Sequence, residues 1–93
     1  MYYHPVTFEF DPRKAIANVR KHGVSFAEAE PVRYHPRALT REDPHAAGEP
    51  RYLTVGMGAL GRVLMVCWTE RGTAVRLISA RLATASERKC YES

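Results

Sequence analysis

The spacing of apolar and polar positions in the first third of the chain predicts a helix. Asp11, followed by proline, is typical of a helix start, because its carboxylate accepts from free backbone N–H groups and proline fits the first turn. Gly23 is typical of a helix end, which places this helix at about 12–22. Ile16 and Val19 are expected to form its buried stripe.

A second, short helix is predicted directly afterwards. The tetrapeptide 25–28 begins with Ser25 and ends with Glu28, the pattern of a helix N-terminal capping box. Pro31 lies beyond the first turn, where proline removes a helical hydrogen bond. We therefore expect this helix to end near Glu30.

The second half of the chain contains three runs rich in Val, Leu, Ile and Tyr, which are typical of strands. The short glycine-containing turns between them favour antiparallel hairpins. Another capping box begins at Thr84 and predicts a last helix that runs through Tyr91. The predicted strands are Arg51–Met57, Arg62–Thr69 and Ala74–Ala80, with a further short strand around Ala38–Thr40.

This order of elements predicts an α+β fold. It has two N-terminal helices, a three- to four-stranded antiparallel sheet and a C-terminal helix. Residues 1–93 are expected to form a single domain, because the length suits one core and no linker is apparent.

Charge is distributed unevenly along the chain. Residues 1–50 carry equal numbers of basic and acidic side chains, so the whole net charge of +4 lies in residues 51–93. The bases there are mostly arginine, whose planar guanidinium suits phosphate, and nucleic acid is therefore a candidate partner.

The numbers and spacing of cysteine and histidine, together with the hydropathy pattern, exclude several other classes of protein. Two cysteines cannot build the disulfide framework of a small secreted protein, and the four histidines lack the spacing of zinc ligands. We therefore expect no metal and no cofactor. The first residues lack the regions of a signal peptide and no apolar run is long enough for a membrane span, so the expected location is the cytoplasm, without membrane contact.

The last hairpin brings two arginines together if its turn is tight. With Thr69 opposite Ala74, Arg62 faces Arg81 across the strands. Like charges at this spacing indicate an anion held between them, such as a phosphodiester. Three alternatives stay open. The arginines extend into solvent over apolar surface, they pair with acids such as Glu87 or Glu92, or a one-residue bulge moves them to opposite faces.

Three further residues have two interpretations each. Glu70, near the turn, fits a general base, but an exposed carboxylate beside Arg71 is more often a solvated turn residue. Trp68 and Tyr52 fit base-stacking platforms, although aromatic residues in strands more often belong to the core.

Short motifs spread over residues 8–92 match one family. They are Phe8-Glu9-Phe10-Asp11 with Lys14, Ala15 and Asn18; Lys21-His22-Gly23-Val24-Ser25-Phe26 with Glu28-Ala29; Arg51-Tyr52-Leu53-Thr54-Val55-Gly56; Gly61-Arg62; Thr69-Glu70; Arg76-Leu77-Ile78-Ser79-Ala80-Arg81; and Ala83-Thr84, Glu87-Arg88 and Tyr91-Glu92. In this combination the chain resembles the BrnT family of type II toxin–antitoxin ribonucleases, small proteins with a RelE-like fold.

The resemblance implies a metal-independent endoribonuclease that slows translation. It also implies a BrnA-like antitoxin with a ribbon-helix-helix domain, through which alone the toxin reaches operator DNA. In such an enzyme the RNA 2′-hydroxyl attacks the adjacent phosphate, which requires a base, an acid and cations. The expected catalytic residues are Arg62, Arg81, Glu70 and His22, and the expected RNA-binding residues are Arg51, Arg76, Ser79, Lys21 and Arg88.

Two rival functions are weighed against this one. The chain departs from the family pattern at Trp68, where many relatives have histidine, and at Pro50, where a glutamate is common. A catalytically degenerate toxin that only binds its antitoxin and tunes operon repression is therefore the alternative. A helix-turn-helix regulator is disfavoured because Pro31 cuts the second helix short.

Overall fold

The computed structural model of this protein describes residues 7–93. The chain start, on which the expectation of no signal peptide depends, lies outside the described residues. No helix within 7–93 is long and apolar enough to cross a membrane. The elements are β1 (Thr7–Glu9), α1 (Pro12–His22), α2 (Phe26–Ala29), a 3₁₀ helix (Glu30–Tyr34), β2 (Leu39–Glu42), β3 (Tyr52–Met57), β4 (Val63–Arg71), β5 (Ala74–Leu82) and α3 (Ala85–Glu92).

Helix α1 has the predicted bounds but not the predicted buried face. Asp11 caps it by accepting from the backbone N–H of Arg13 at 2.9 Å, and Gly23 ends it with a left-handed φ of 68°. Ile16 and Val19 are 56% and 47% exposed, whereas Asn18 is 6% exposed. The expectation of an Ile16–Val19 stripe is therefore wrong, since a polar side chain that finds partners takes the buried position.

Helix α2 begins at the predicted cap and changes type at its end. Ser25 Oγ accepts from the backbone N–H of Glu28 at 3.0 Å. The α-helical segment ends at Ala29, and the chain continues as the 3₁₀ helix with Pro31 in its first turn. Proline shortens the α-helix as predicted, but it fits the first turn of the next one, where no N–H is needed.

The sheet has five strands in the order β1-β5-β4-β3-β2. Strands β2 to β5 pair antiparallel, and β1 pairs parallel with β5, so the α+β class is confirmed while the three- to four-stranded antiparallel sheet is corrected to a mixed one. Strand β1 has only three residues. A segment this short shows no recognisable strand pattern, so the sequence did not predict β1.

The register of the last hairpin also differs from the prediction. Arg71 pairs with Ala74, so the turn is two residues tighter than assumed, and the register shifts again between Cys67 and Trp68. Arg81 therefore faces Met65, and Arg62 precedes the first residue of β4. The opposed arginine pair is wrong because register is the property that a short bulge changes most.

The helices cover the two sides of the sheet unequally. One side, here called the helical face, packs β4 and β5 against α1, α2 and the 3₁₀ helix. Ten buried residues form its core: Val24, Phe26, Ala29, Val32, Leu64, Val66, Trp68, Val75, Leu77 and Ala80. The other side, the α3 face, carries a cluster of three: Val55 and Met65 beneath Tyr91 of α3.

Trp68 belongs to this core, and the partly buried Tyr52 packs against it. Their rings stack on each other at 4.7 Å, and Trp68 is 7% exposed. The indole Nε1 donates to Thr54 Oγ1 at 2.8 Å. Of the two interpretations of these aromatic residues, the structure supports the core.

Candidate functional site

Asn18 holds α1 against the edge of β5. Its Nδ2 donates to the carbonyl oxygens of Val24 and Ala80, each at 2.8 Å, and its Oδ1 accepts from the Ala80 N–H at 3.0 Å. Strand β1 pairs only with residues 74–76 of β5. The Asn18 amide therefore satisfies backbone groups of β5 where no neighbouring strand reaches them.

A cleft of about 190 Å³ lies beside Asn18, between α1 and β5. Three of the predicted site residues line it together: Lys21, His22 and Ser79. Lys14 lines it too, because positions 14, 18 and 21 share one face of a helix. Sequence reasoning missed Lys14 as a site residue, although this spacing could have identified it. We call this space the α1–β5 cleft.

The lysines of the α1–β5 cleft carry unopposed charge. Within residues 7–93 the ion pairs involve four arginines, and neither Lys14 nor Lys21 has an acidic partner. Two ammonium groups and an imidazole around one concave space form a suitable environment for a phosphate.

Arg62 binds a carboxylate of its own chain. Its Nε and Nη2 donate to the two oxygens of Glu28 at 2.7 and 2.6 Å, and Nη2 also donates to the Gly23 carbonyl at 3.0 Å. These hydrogen bonds from Arg62 lower the pKa of Glu28 and raise that of Arg62. Because Gly23 directly follows His22, Arg62 fixes the end of α1 that contributes to the cleft.

Arg81 binds a second carboxylate, on the α3 face. Its Nη1 and Nη2 donate to the two oxygens of Glu87 at 2.7 and 2.9 Å, and the Thr84 N–H donates to the same carboxylate at 2.9 Å. The hydrogen bonds from Arg81, followed by the backbone bond from Thr84, lower the pKa of Glu87 to about 2. Each arginine thus pairs with its own acid, which is one of the alternatives that the sequence left open. Glu87 is among the acids named there, whereas Glu28 is not.

The remaining predicted residues lie elsewhere. Glu70 is exposed near the end of β4, about 26 Å along that strand from Arg62 at ~3.3 Å per residue. Arg51 precedes β3 and Arg76 pairs with Thr69, which places both toward the same hairpin end of the sheet. Arg88 is exposed on α3, with its Nε 3.9 Å from a carboxylate oxygen of Glu92. The predicted residues therefore do not form one cluster.

Metal-binding side chains are not grouped in the part of the chain that the structure describes. No set of three or more histidine, cysteine, aspartate or glutamate residues within 7–93 is placed to hold an ion.

Comparison with known proteins gives a family and a fold. The model of the family described as the ribonuclease toxin BrnT of type II toxin–antitoxin systems matches residues 10–87. The chain is similar in fold to the 1.1 Å crystal structure of the Brucella abortus ribonuclease toxin BrnT, with a TM-score of 0.64 and 24% sequence identity over 86% of this chain and 99% of that one. A search of curated protein sequences finds no match. Since the family model covers most of the chain, this protein belongs to the BrnT ribonuclease toxins of type II toxin–antitoxin systems, a membership that implies an antitoxin partner.

Proposed function

We propose that this chain is a metal-independent endoribonuclease that inhibits translation by cleaving RNA. A BrnA-like antitoxin with a ribbon-helix-helix domain neutralises it, and the toxin reaches operator DNA only through that antitoxin. Membership of a ribonuclease toxin family supports the reaction class. The observation that carries the proposal for this chain is the α1–β5 cleft, where Lys14, Lys21, His22 and Ser79 meet.

The α1–β5 cleft has the size and charge for one phosphodiester. Its volume of about 190 Å³ exceeds that of several water molecules, which occupy ~30 Å³ each in the liquid. Lys14 and Lys21 provide positive charge without an acidic partner in the described chain. Ser79, on the opposite wall, contributes a hydroxyl that can orient a phosphate oxygen.

The reaction follows from the chemistry of RNA. The 2′-hydroxyl loses its proton and forms a bond to the adjacent phosphorus, while the bond from phosphorus to the 5′ oxygen breaks and that oxygen gains a proton. The products are a 2′,3′-cyclic phosphate and a 5′-hydroxyl. His22 transfers one of these protons, because it lines the cleft and histidine is the most frequent general acid or base in enzymes. The lysines stabilise the extra negative charge of the transition state.

The arginines have supporting roles in this proposal. Arg62 positions the end of α1 through Gly23 and Glu28, and Arg81 holds the start of α3 through Glu87. Arg51, Arg76 and Arg88 contribute charge that attracts the RNA backbone outside the cleft. Glu70 does not line the cleft, and it pairs with Val75, about 13 Å along β5 from Ser79 at ~3.3 Å per residue, so we assign the proton transfer to His22 instead.

The test is cleavage of a short oligoribonucleotide by the purified chain in the presence of EDTA. His22→Gln should lower the rate by about 10² to 10⁴, the usual contribution of a general acid or base. His45→Gln is the matched control, since His45 is exposed on the loop between β2 and β3. A 2′-deoxy nucleotide at the cleaved position should abolish cleavage. Loss of activity in EDTA, or full activity of His22→Gln, would contradict the proposal.

A second function is favoured by one observation. Arg62 and Arg81 are both bound by carboxylates of the same chain, so the charge of each is balanced before any RNA approaches. A catalytically degenerate toxin would bind its antitoxin and modulate repression of its operon without cutting RNA. Tight antitoxin binding by a purified chain that cleaves no RNA would establish this alternative.

A further inference from the structure

The α3 face carries an open apolar groove between β2 and α3. The groove has a volume of about 220 Å³. Leu53, Val55 and Met65 of the sheet line it together with Leu39 of β2 and Cys90 of α3. We call it the β2–α3 groove.

The protein leaves this groove uncovered because α3 is short. Helix α3 has 8 residues and covers Val55 and Met65 chiefly through Tyr91. Strand β2 is the outermost strand of the sheet, all four of its residues are exposed, and Leu39 remains 48% exposed. An apolar surface that continues to an unpaired strand edge is typical of a protein interaction site.

The charges around the groove favour an acidic partner. Arg41 lines it and has no acidic partner within residues 7–93. Glu87 also lines it, but its carboxylate is bound by both terminal nitrogens of Arg81. The unbalanced charge in the groove is therefore positive, and the chain as a whole carries +4.

We propose that the β2–α3 groove is where the antitoxin docks, through an amphipathic helix with apolar residues on one face and an acidic residue opposite Arg41. A helix placed beside α3 would complete the layer that α3 leaves unfinished over β2 and β3. The identity of the occupant rests on the proposed function; the chemistry of the surface does not.

The groove and the α1–β5 cleft lie at different places on the sheet. The groove is on β2, β3 and β4, whereas the cleft is beside β5, which β4 separates from β3. Changes in the groove should therefore alter antitoxin binding and leave RNA cleavage by the isolated toxin unchanged.

The natural cysteines allow a test without mutation of the groove. Cys90 is exposed, whereas Cys67 is buried and burial raises the pKa of its thiol. A maleimide should therefore label Cys90 first. In a complex of the full chain with the antitoxin encoded in the same operon, we expect labelling of Cys90 to slow by at least about tenfold, the effect of burying a thiol.

The matched control places a cysteine away from the groove. Leu60, in the loop between β3 and β4, is 73% exposed, and a Leu60→Cys, Cys90→Ser double variant should react equally with and without antitoxin. Equal labelling of Cys90 in the free toxin and in the complex would overturn the proposal. So would protection of Cys90 in the toxin alone at high concentration, since the occupant would then be a second copy of this chain.

Binding of two groove variants gives an independent measurement. Leu39→Glu and Arg41→Glu should each weaken antitoxin binding by about tenfold or more, the effect of one charge placed against an apolar or acidic partner surface. Leu60→Glu should bind as the unmodified chain does. Wild-type affinity of both groove variants would overturn the docking site. Absence of RNA cleavage by the unmodified chain would instead contradict the proposed function, without affecting the result for docking.

Discussion

On the helical face, ten buried residues from two helices, a 3₁₀ helix and the sheet form one cluster, whereas the α3 face buries three residues beneath an 8-residue helix. On the helical face, Asn18 links α1 to Ala80 of β5, 62 positions away. On the α3 face, Arg81 binds Glu87 six positions later, and the Tyr91 hydroxyl is hydrogen-bonded to His35 Nδ1 at 2.9 Å. The two faces therefore differ in their apolar packing and not in the range of their polar links.

This difference indicates that the two faces of this small protein have different roles. A protein of 93 residues is only marginally stable, so one well-packed face must supply most of its free energy of unfolding. The other face then need not be complete in the isolated chain. We expect substitutions on the helical face to affect global stability and substitutions on the α3 face to act locally or on binding.

The largest expected effect is truncation of the aromatic core. Trp68→Ala should lower the free energy of unfolding by about 3–5 kcal/mol, because it removes a fully packed ring beside Tyr52. Met65→Ala on the α3 face should lower the free energy of unfolding by about 2 kcal/mol, since residues around the open groove can relax into the space left by the Met65 side chain. Urea denaturation measures both. An equal loss for the two variants would contradict the contrast between the faces.

An intermediate effect is expected from acid. The pKa of Glu87 is about 2 in the folded protein and ordinarily about 4.5, so its pairing with Arg81 stabilises the fold fully above pH 4.5. That contribution, about 2 kcal/mol after allowance for partial exposure, should be lost as the pH falls from 4.5 toward 2. Arg81→Met should flatten the dependence of unfolding free energy on pH in this range.

The control for the acid experiment is another arginine near the same helix. Arg88→Met removes a side chain that is 55% exposed and only 3.9 Å from its acid, so it should leave the pH profile as it is. If Arg88→Met flattened the pH profile as much as Arg81→Met does, the pH dependence would come from the net charge of the protein and not from the pairing of Arg81 with Glu87.

The smallest effect should come from the helix caps. Thr84→Ala and Ser25→Ala each remove a hydroxyl that accepts from a backbone N–H. Each substitution should lower the free energy of unfolding by about 1 kcal/mol. We expect hydrogen exchange to speed up mainly within α3 for Thr84→Ala. For Ser25→Ala it should speed up more widely, because α2 belongs to the large core cluster. Identical exchange patterns would show that α3 unfolds together with the rest of the protein.

Local signals in the sequence predicted the ends of the helices well. Asp11, Gly23 and Thr84 act on backbone groups within a few residues, so their effect does not depend on the rest of the fold. Runs of strand-forming residues between glycine-containing turns likewise located β3, β4 and β5 to within two residues at each end.

What the sequence could not predict depends on distant partners. The hydrogen bonds of Asn18 join positions 62 apart, and those between Arg62 and Glu28 join positions 34 apart. Neither pairing follows from local spacing. The register shift between Cys67 and Trp68 depends on how both faces pack at once. Together with the tighter turn between Arg71 and Ala74, it moves Arg81 away from Arg62.

The Asn18 amide also determines what the two edges of the sheet can do. Beyond β1, the N–H and C=O of Ala80 lie at the edge of β5, where another strand could pair with them. The Asn18 side-chain amide is hydrogen-bonded to both groups. That edge is thereby protected from pairing with another chain, which is how β proteins commonly avoid aggregation. Within residues 7–93, no strand pairs with the outer edge of β2. A single side chain thus shields the part of β5 that β1 does not cover, whereas the edge of β2 beside the β2–α3 groove remains open to a further strand.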